Sequence, residues 1–146
     1  MSTEIPVYAP LWRRLLAALY DLLPLAGLWM IATALAVLLT RLLVPVDRVD
    51  LVLRGGWPHL ALQIWLGALT LAYYVISWRR GGQTIGMRAW RIAVRADHGT
   101  LSLKSALLRA LVGLFLPGLL WCLFDPRRRA LHDRVADSAV VHLPKR

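Results

Sequence analysis

Five side chains combine a reactive or charged group with a placement that needs explaining: Arg14, Asp21, Arg109, His132 and Asp133. Asp21 is the one charged residue in an apolar run from Leu15 to Thr40. A charge at membrane depth costs at least a few kcal/mol unless it is paired or hydrated, and such residues mark ion pathways, proton relays or buried ion pairs. Arg109 is carried into another apolar run, residues 105–124. Its guanidinium stays charged and can engage a carboxylate through two hydrogen bonds. His132 and Asp133 adjoin each other and offer acid–base chemistry in principle. Adjacent residues on a short helix point in different directions, however, and neither metal-ligand spacing nor a nucleophile elbow accompanies them. Catalytic, cofactor-binding and metal-binding roles are therefore not expected.

Arg14 precedes Asp21 by seven positions, about two helical turns and some 10 Å along the axis. Side chains tilt toward the helix N-terminus, so that gap is too long for an easy direct pair. Each charge needs a partner from later in the chain. Depth suggests the assignment: Asp21 with Arg109, both far inside apolar sequence, and Arg14 with Asp133 at headgroup level.

The composition says what surrounds these charges. Of 146 residues, 58% are hydrophobic, and the net charge is +10; mean hydropathy is +0.56. The apolar residues come in blocks rather than at a surface-helix period, which indicates membrane insertion. The arginines flank those blocks and form no basic face with interleaved aromatics, so nucleic acid is not the expected partner. The lipid bilayer is, anionic headgroups included. A lone cysteine, Cys122, excludes an internal disulfide and redox or zinc spacing. Arg13-Arg14 ahead of an apolar run invites a signal-peptide reading, but the run is too long for one and contains Asp21.

The elements follow. The sequence predicts an all-α membrane protein forming a single domain over residues 1–146. Residues 1–11 form a lead-in, and a first transmembrane helix spans 12–43, with Pro24 inviting a kink beside Asp21. A loop precedes a second transmembrane helix over 58–78, bracketed by Trp57 and Trp78 as an interfacial belt. The basic loop Arg79-Arg80-Gly81-Gly82-Gln83-Thr84-Ile85-Gly86-Met87-Arg88 lacks the spacing of a phosphate-binding loop. Alternating polarity around Asp97-His98-Gly99 predicts a β-hairpin over 88–103, and Ser138 to Leu143 a third strand covering its edge. Residues 105–124 form a third hydrophobic helix, re-entrant or spanning, broken at Pro117-Gly118. A cap over 125–146 opens with Asp125-Pro126 as the start of a short helix.

Charge sets the topology. Lys and Arg number two before the first helix, three from Arg41 to Arg54, six from Arg79 to Lys104 and six from Arg127 to Arg146. The basic segments belong inside, which puts the N-terminus in the cytoplasm and favours a third helix that enters and returns.

The Arg14…Asp21 pair, the Gly82-Gln83-Thr84-Ile85-Gly86-Met87-Arg88 loop and Leu131-His132-Asp133 occur in the order seen in a known family. Over roughly Pro10 to Leu143 the chain resembles the RDD family of small bacterial membrane proteins. That family is named for an arginine at the start of its first span, an aspartate within it, and a second aspartate. The resemblance puts these at Arg14, Asp21 and Asp133; Arg13 competes for the first place, and Arg14 is preferred because it shares a helical face with Asp21. It implies an integral inner-membrane protein with a suggested transport role. Two readings follow. In one, Asp21 belongs to an ion or small-solute path, which two or three helices enclose only as a homo-oligomer or with a membrane partner. In the other, the charges pin helices and cap together in a structural or accessory module.

Overall fold

Helix α1 covers Leu11–Leu43 and helix α2 covers Trp57–Gly81 in the computed structural model, which describes residues 8–43, 56–96, 101–113, 121, 125 and 129–143. Each contains an 18-residue apolar window, of mean hydropathy 2.3 in α1 and 1.6 in α2. Only 11% and 6% of those windows are buried within the chain. The apolar helices of a soluble core would be covered by neighbours. These are not, and both are long enough to cross a bilayer. Helix α1 continues through Pro24 as one element. Helix α2 follows Gly56 (φ +88°) and ends at Gly82 (φ +66°), whose N–H bonds to the Trp78 carbonyl at 3.0 Å. A Cβ on Gly82 would also lie 2.8 Å from the Val94 carbonyl oxygen. Left-handed backbone and close approach together explain glycine there.

A compact cap follows: α3 (Ile85–Ala89), β1 (Ile92–Ala96), α4 (Leu103–Gly113), α5 (Leu131–Val135) and β2 (Ser138–His142). The sheet differs from the expected hairpin. Strand β1 pairs antiparallel with β2, with Val94 opposite Val140, and Leu103 opens a helix rather than closing a hairpin. The physical reason is Ser102, whose Oγ accepts from the Ser105 N–H at 3.1 Å and so caps α4. The expected turn at 97–99 lies outside the described residues. The other edge of β2 meets the lead-in: Tyr8 bridges Val141, and the Ala9 N–H donates to the Val140 carbonyl at 2.9 Å. Pro117-Gly118 also lies outside the described residues. Positions 126–128, where the short helix after Asp125 is expected to start, lie outside the described residues, and a described helix covers Leu131–Val135.

The cap contains the same local unit twice. Helix α3 passes through Trp90 and Arg91 (φ +52°) into β1, and α5 passes through Ala136 and Asp137 (φ +45°) into β2. Helices and strands are five residues long in both units, and the two strands pair with each other. The core lies where these units meet the helices, with Ala17, Val75, Trp78, Ile92, Val94, Ala106 and Val140 in one cluster. Gly67 of α2 has nothing within 4 Å of where its Cβ would be.

Candidate functional site

The buried residues of α1 are Arg14, Ala17, Asp21, Leu25 and Ala32. Arg14, Ala17 and Asp21 recur at intervals of three and four, the period of one helix face. Two charged centres are built along this stripe.

Asp133 anchors the first. It is fully buried on α5, where its Oδ2 accepts the Ala130 N–H at 3.0 Å and closes the first turn of that helix. The same oxygen accepts Arg14 Nη1 at 2.5 Å, and Oδ1 accepts Arg109 Nη1. Arg109 Nη1 also donates to Ser138 Oγ at 2.8 Å, and Arg14 Nε donates to the Ala9 carbonyl at 3.2 Å. One carboxylate thus joins α1, α4 and α5, and its arginines add β2 and the lead-in. Burial alone would raise the Asp133 carboxyl, but the guanidiniums of Arg109 and Arg14 outweigh it and hold it at about 2. His132 lies alongside, with Nε2 3.5 Å from Asp133 Oδ1. Burial, and then the charge of Arg109, hold this imidazole down at about 4, so it is neutral at pH 7.

Asp21 anchors the second. It is 2% exposed, and its partners are neutral. Oδ1 accepts from Tyr73 Oη at 2.7 Å and from the Gly86 N–H at 2.8 Å. Oδ2 accepts from Thr84 Oγ1 at 2.5 Å. Thr84 is also the N-cap of α3, its Oγ1 accepting the Met87 N–H at 3.2 Å. One hydroxyl therefore starts α3 and ties it to α1. Gly86 completes the contact: a Cβ there would lie 2.0 Å from the Ala17 carbonyl oxygen.

This geometry corrects the expected pairing. Arg14 does meet Asp133, but Arg109 meets Asp133 too, leaving Asp21 to hydroxyls and a backbone amide. Arg13 does not compete for Asp133, since its guanidinium lies 5.0 Å over the Trp12 ring. Trp78, expected in an interfacial belt, is 8% exposed and packs under the Arg109 guanidinium with 5.0 Å to its ring centroid.

A family model described as the RDD family matches residues 8–137, which include Arg14, Asp21, Arg109, His132 and Asp133. The chain belongs to that family. No curated protein and no solved structure matches it. As an RDD protein it is an integral membrane protein, consistent with its two exposed apolar helices.

Between the two centres this RDD chain has a partly open cavity of about 210 Å³, lined by residues that include Arg14, Asp21, Thr70, Trp78, Arg109 and His132. Among the described residues no three His, Cys, Asp or Glu side chains come together as a metal site. Sequence reasoning assigned no site role to Tyr73, Thr84, Gly86 or Ser138, although Thr84 and Gly86 lie in the loop that carries the family resemblance. Thr84 was legible as a capping residue, with glycines two positions before and after it. Ser138 and Tyr73 carried no comparable signal.

Proposed function

We propose that this RDD protein takes part in the transport of an ion or small solute, which it holds in the cavity between α1, α2 and α4. The cavity itself carries the proposal: about 210 Å³ of space lies between a cationic centre and a carboxylate, at the cap end of two membrane-crossing helices. Charged groups in such places commonly mark solute paths. Two crossing helices cannot enclose a path alone, so the working unit is a homo-oligomer or includes a membrane partner. In this reading the whole chain is one domain in the inner membrane with its N-terminus and cap in the cytoplasm. Residues 105–124 enter and return, and anionic lipids attend the basic segments.

The test is reconstitution into liposomes, measuring oligomer size together with cation, proton and anion flux. Gly113 lines the cavity and has nothing within 4 Å of where its Cβ would be. Gly113→Leu should therefore place a bulky side chain at the cavity wall, and flux should fall about tenfold or more with the oligomer intact. Unchanged flux would take the cavity out of the path.

A second reading has its own observation. Asp21 already accepts three hydrogen bonds, and Asp133 faces two guanidiniums, so both carboxylates are spent on holding elements together. A chain that carries no solute under any gradient would be a structural or accessory membrane module.

A further inference from the structure

A separate, half-open groove of about 280 Å³ lies between the end of α2 and α3. Four of its lining residues, Tyr73, Ile76, Ser77 and Arg80, recur at intervals of three and four along α2 and so share one helix face. Helix α3 supplies Ile85 and Arg88. The two helices are tied together there, because Tyr73 Oη accepts the Ile85 N–H at 3.3 Å.

The charge of the groove is one-sided. Arg80 and Arg88 are exposed, and among the described residues neither makes an ion pair or a hydrogen bond. Among the described residues no acidic side chain lines the groove either. Arg88 turns its guanidinium back toward α2: a Cβ on Gly81 would meet Arg88 Nη2 at 3.5 Å. A helix end favours a nearby cation through its dipole. That does not account for cations from two helices lining one groove without an anion. Ser77 adds a hydroxyl donor to the same space.

An apolar strip continues from this point. Ile76 is 49% exposed and Ile85 56%. Beyond Tyr73, Leu69, Leu66, Trp65 and Leu62 continue the three-and-four spacing back along α2. A free phosphate would use the two guanidiniums and leave this strip bare, whereas a phospholipid uses both. Two cations without a carboxylate also disfavour a headgroup that carries its own ammonium. The positive-inside rule puts this end of α2 at the cytoplasmic leaflet, where anionic lipids are found.

We propose that the groove seats the phosphate group of one anionic phospholipid, with Arg80 and Arg88 at its oxygens and an acyl chain along the Tyr73–Ile76 face of α2. This goes beyond the solute-holding role proposed above and rests on that reading only for the side of the membrane.

The test is native mass spectrometry of the protein in detergent containing equal amounts of phosphatidylglycerol and phosphatidylcholine. Wild type should retain one phosphatidylglycerol in preference to phosphatidylcholine. Arg80→Gln and Arg88→Gln should each lower that preference about tenfold, the loss of one charge-assisted contact. Arg79→Gln removes an equal charge from an adjacent exposed position that does not line the groove, and should change the preference little. Equal falls in all three variants would mean diffuse attraction and overturn the proposal, as would a wild type without preference. Inorganic phosphate in excess should not displace the lipid, since it has no chain to lie along α2. Displacement by phosphate would make the occupant a free anion and overturn the proposal as well. If an arginine variant does not elute as wild type does, the wild-type preference and the phosphate arm still decide. Retention is read without a gradient, so a protein that carries no solute can pass this test and one that carries solute can fail it.

Discussion

Gly86 sits so close to α1 that a Cβ on it would lie 2.0 Å from the carbonyl oxygen of Ala17 and 3.0 Å from the Asp21 Cγ. Neither atom is the far end of a flexible side chain, so no small adjustment makes room. The contact lets the Gly86 N–H reach Asp21 at 2.8 Å.

Gly86→Ala should therefore push α3 off α1 and break a hydrogen bond to a buried carboxylate. Overpacking and loss of a charge-assisted bond together predict about 3 kcal/mol or more of destabilisation. Thermal unfolding in detergent measures it. Gly67→Ala is the control: the site is open, and alanine in mid-helix gains up to about 1 kcal/mol. If the two variants melt alike, the close approach at Gly86 is wrong.

The two charged centres should behave independently. Asp133→Asn leaves Arg14 and Arg109 buried together without their counter-charge, a loss of about 3–5 kcal/mol. In a double-mutant cycle, Arg109→Gln with Asp133→Asn should show a coupling above ~1 kcal/mol. Arg109→Gln with Asp21→Asn should add to within ~0.5 kcal/mol, as for residues that share no partner. Strong coupling in the second cycle would restore the pairing suggested by depth in the sequence.

Thr84→Val removes both a helix cap and a donor to Asp21, whereas Tyr73→Phe removes a donor to Asp21 and a longer, 3.3 Å acceptor contact for the Ile85 N–H. The expected costs are about 2–4 kcal/mol for the first and about 1.5–3 kcal/mol for the second. Chemical denaturation should order them that way, and the reverse order would mean that Thr84 does not organise α3.

His132 sets a pH dependence. Its folded value of about 4 lies below the ordinary 6.5, so the unfolded chain binds its proton first as pH falls. Stability from this group is complete above pH 6.5, declines between 6.5 and 4, and is gone below 4. The loss amounts to about 3 kcal/mol. Asp133, held at about 2 against its ordinary 3.8, adds a further loss as pH falls from 3.8 through 2. Melting curves from pH 8 to 4 should show the first decline, and His132→Gln should flatten it. A His132→Gln profile identical to wild type would place the titration elsewhere.

Much of the frame was legible because apolar run length is a direct measure of membrane-crossing capacity, as in Leu15 to Thr40. The strand at Ser138–His142 was legible too, but as a third strand covering an edge rather than as the sole partner of Ile92–Ala96. Alternation at Thr100 to Leu103 suggested a local hairpin, but Ser102 caps a helix instead, and the true partner is Ser138–His142, over forty residues on. Local polarity patterns do not register such long-range competition. The pairing of Arg109 failed for a related reason. Depth in apolar sequence locates a charge that needs satisfying, but Asp21 shows that hydroxyls and a backbone amide can satisfy it without a counter-charge. Trp78 illustrates the same limit, since its place at the end of an apolar helix suits lipid headgroups and a buried guanidinium equally well.

The doubled helix–turn–strand unit has a mechanical consequence. A rod gripped at one point can spin about its axis and slide along it. Helix α1 is gripped at two, with α5 holding Arg14 and α3 holding Asp21, and the grips are joined to each other through β1 and β2. Advancing α1 by one residue would turn it by about 100° and unseat both grips together. The cap-side end of α1 and the cap therefore move as one lever. Any widening of the space beneath it falls to the opposite wall, where, among the described residues beyond Asp21, the one side-chain hydrogen bond between α1 and α2 runs from Trp29 to Thr70.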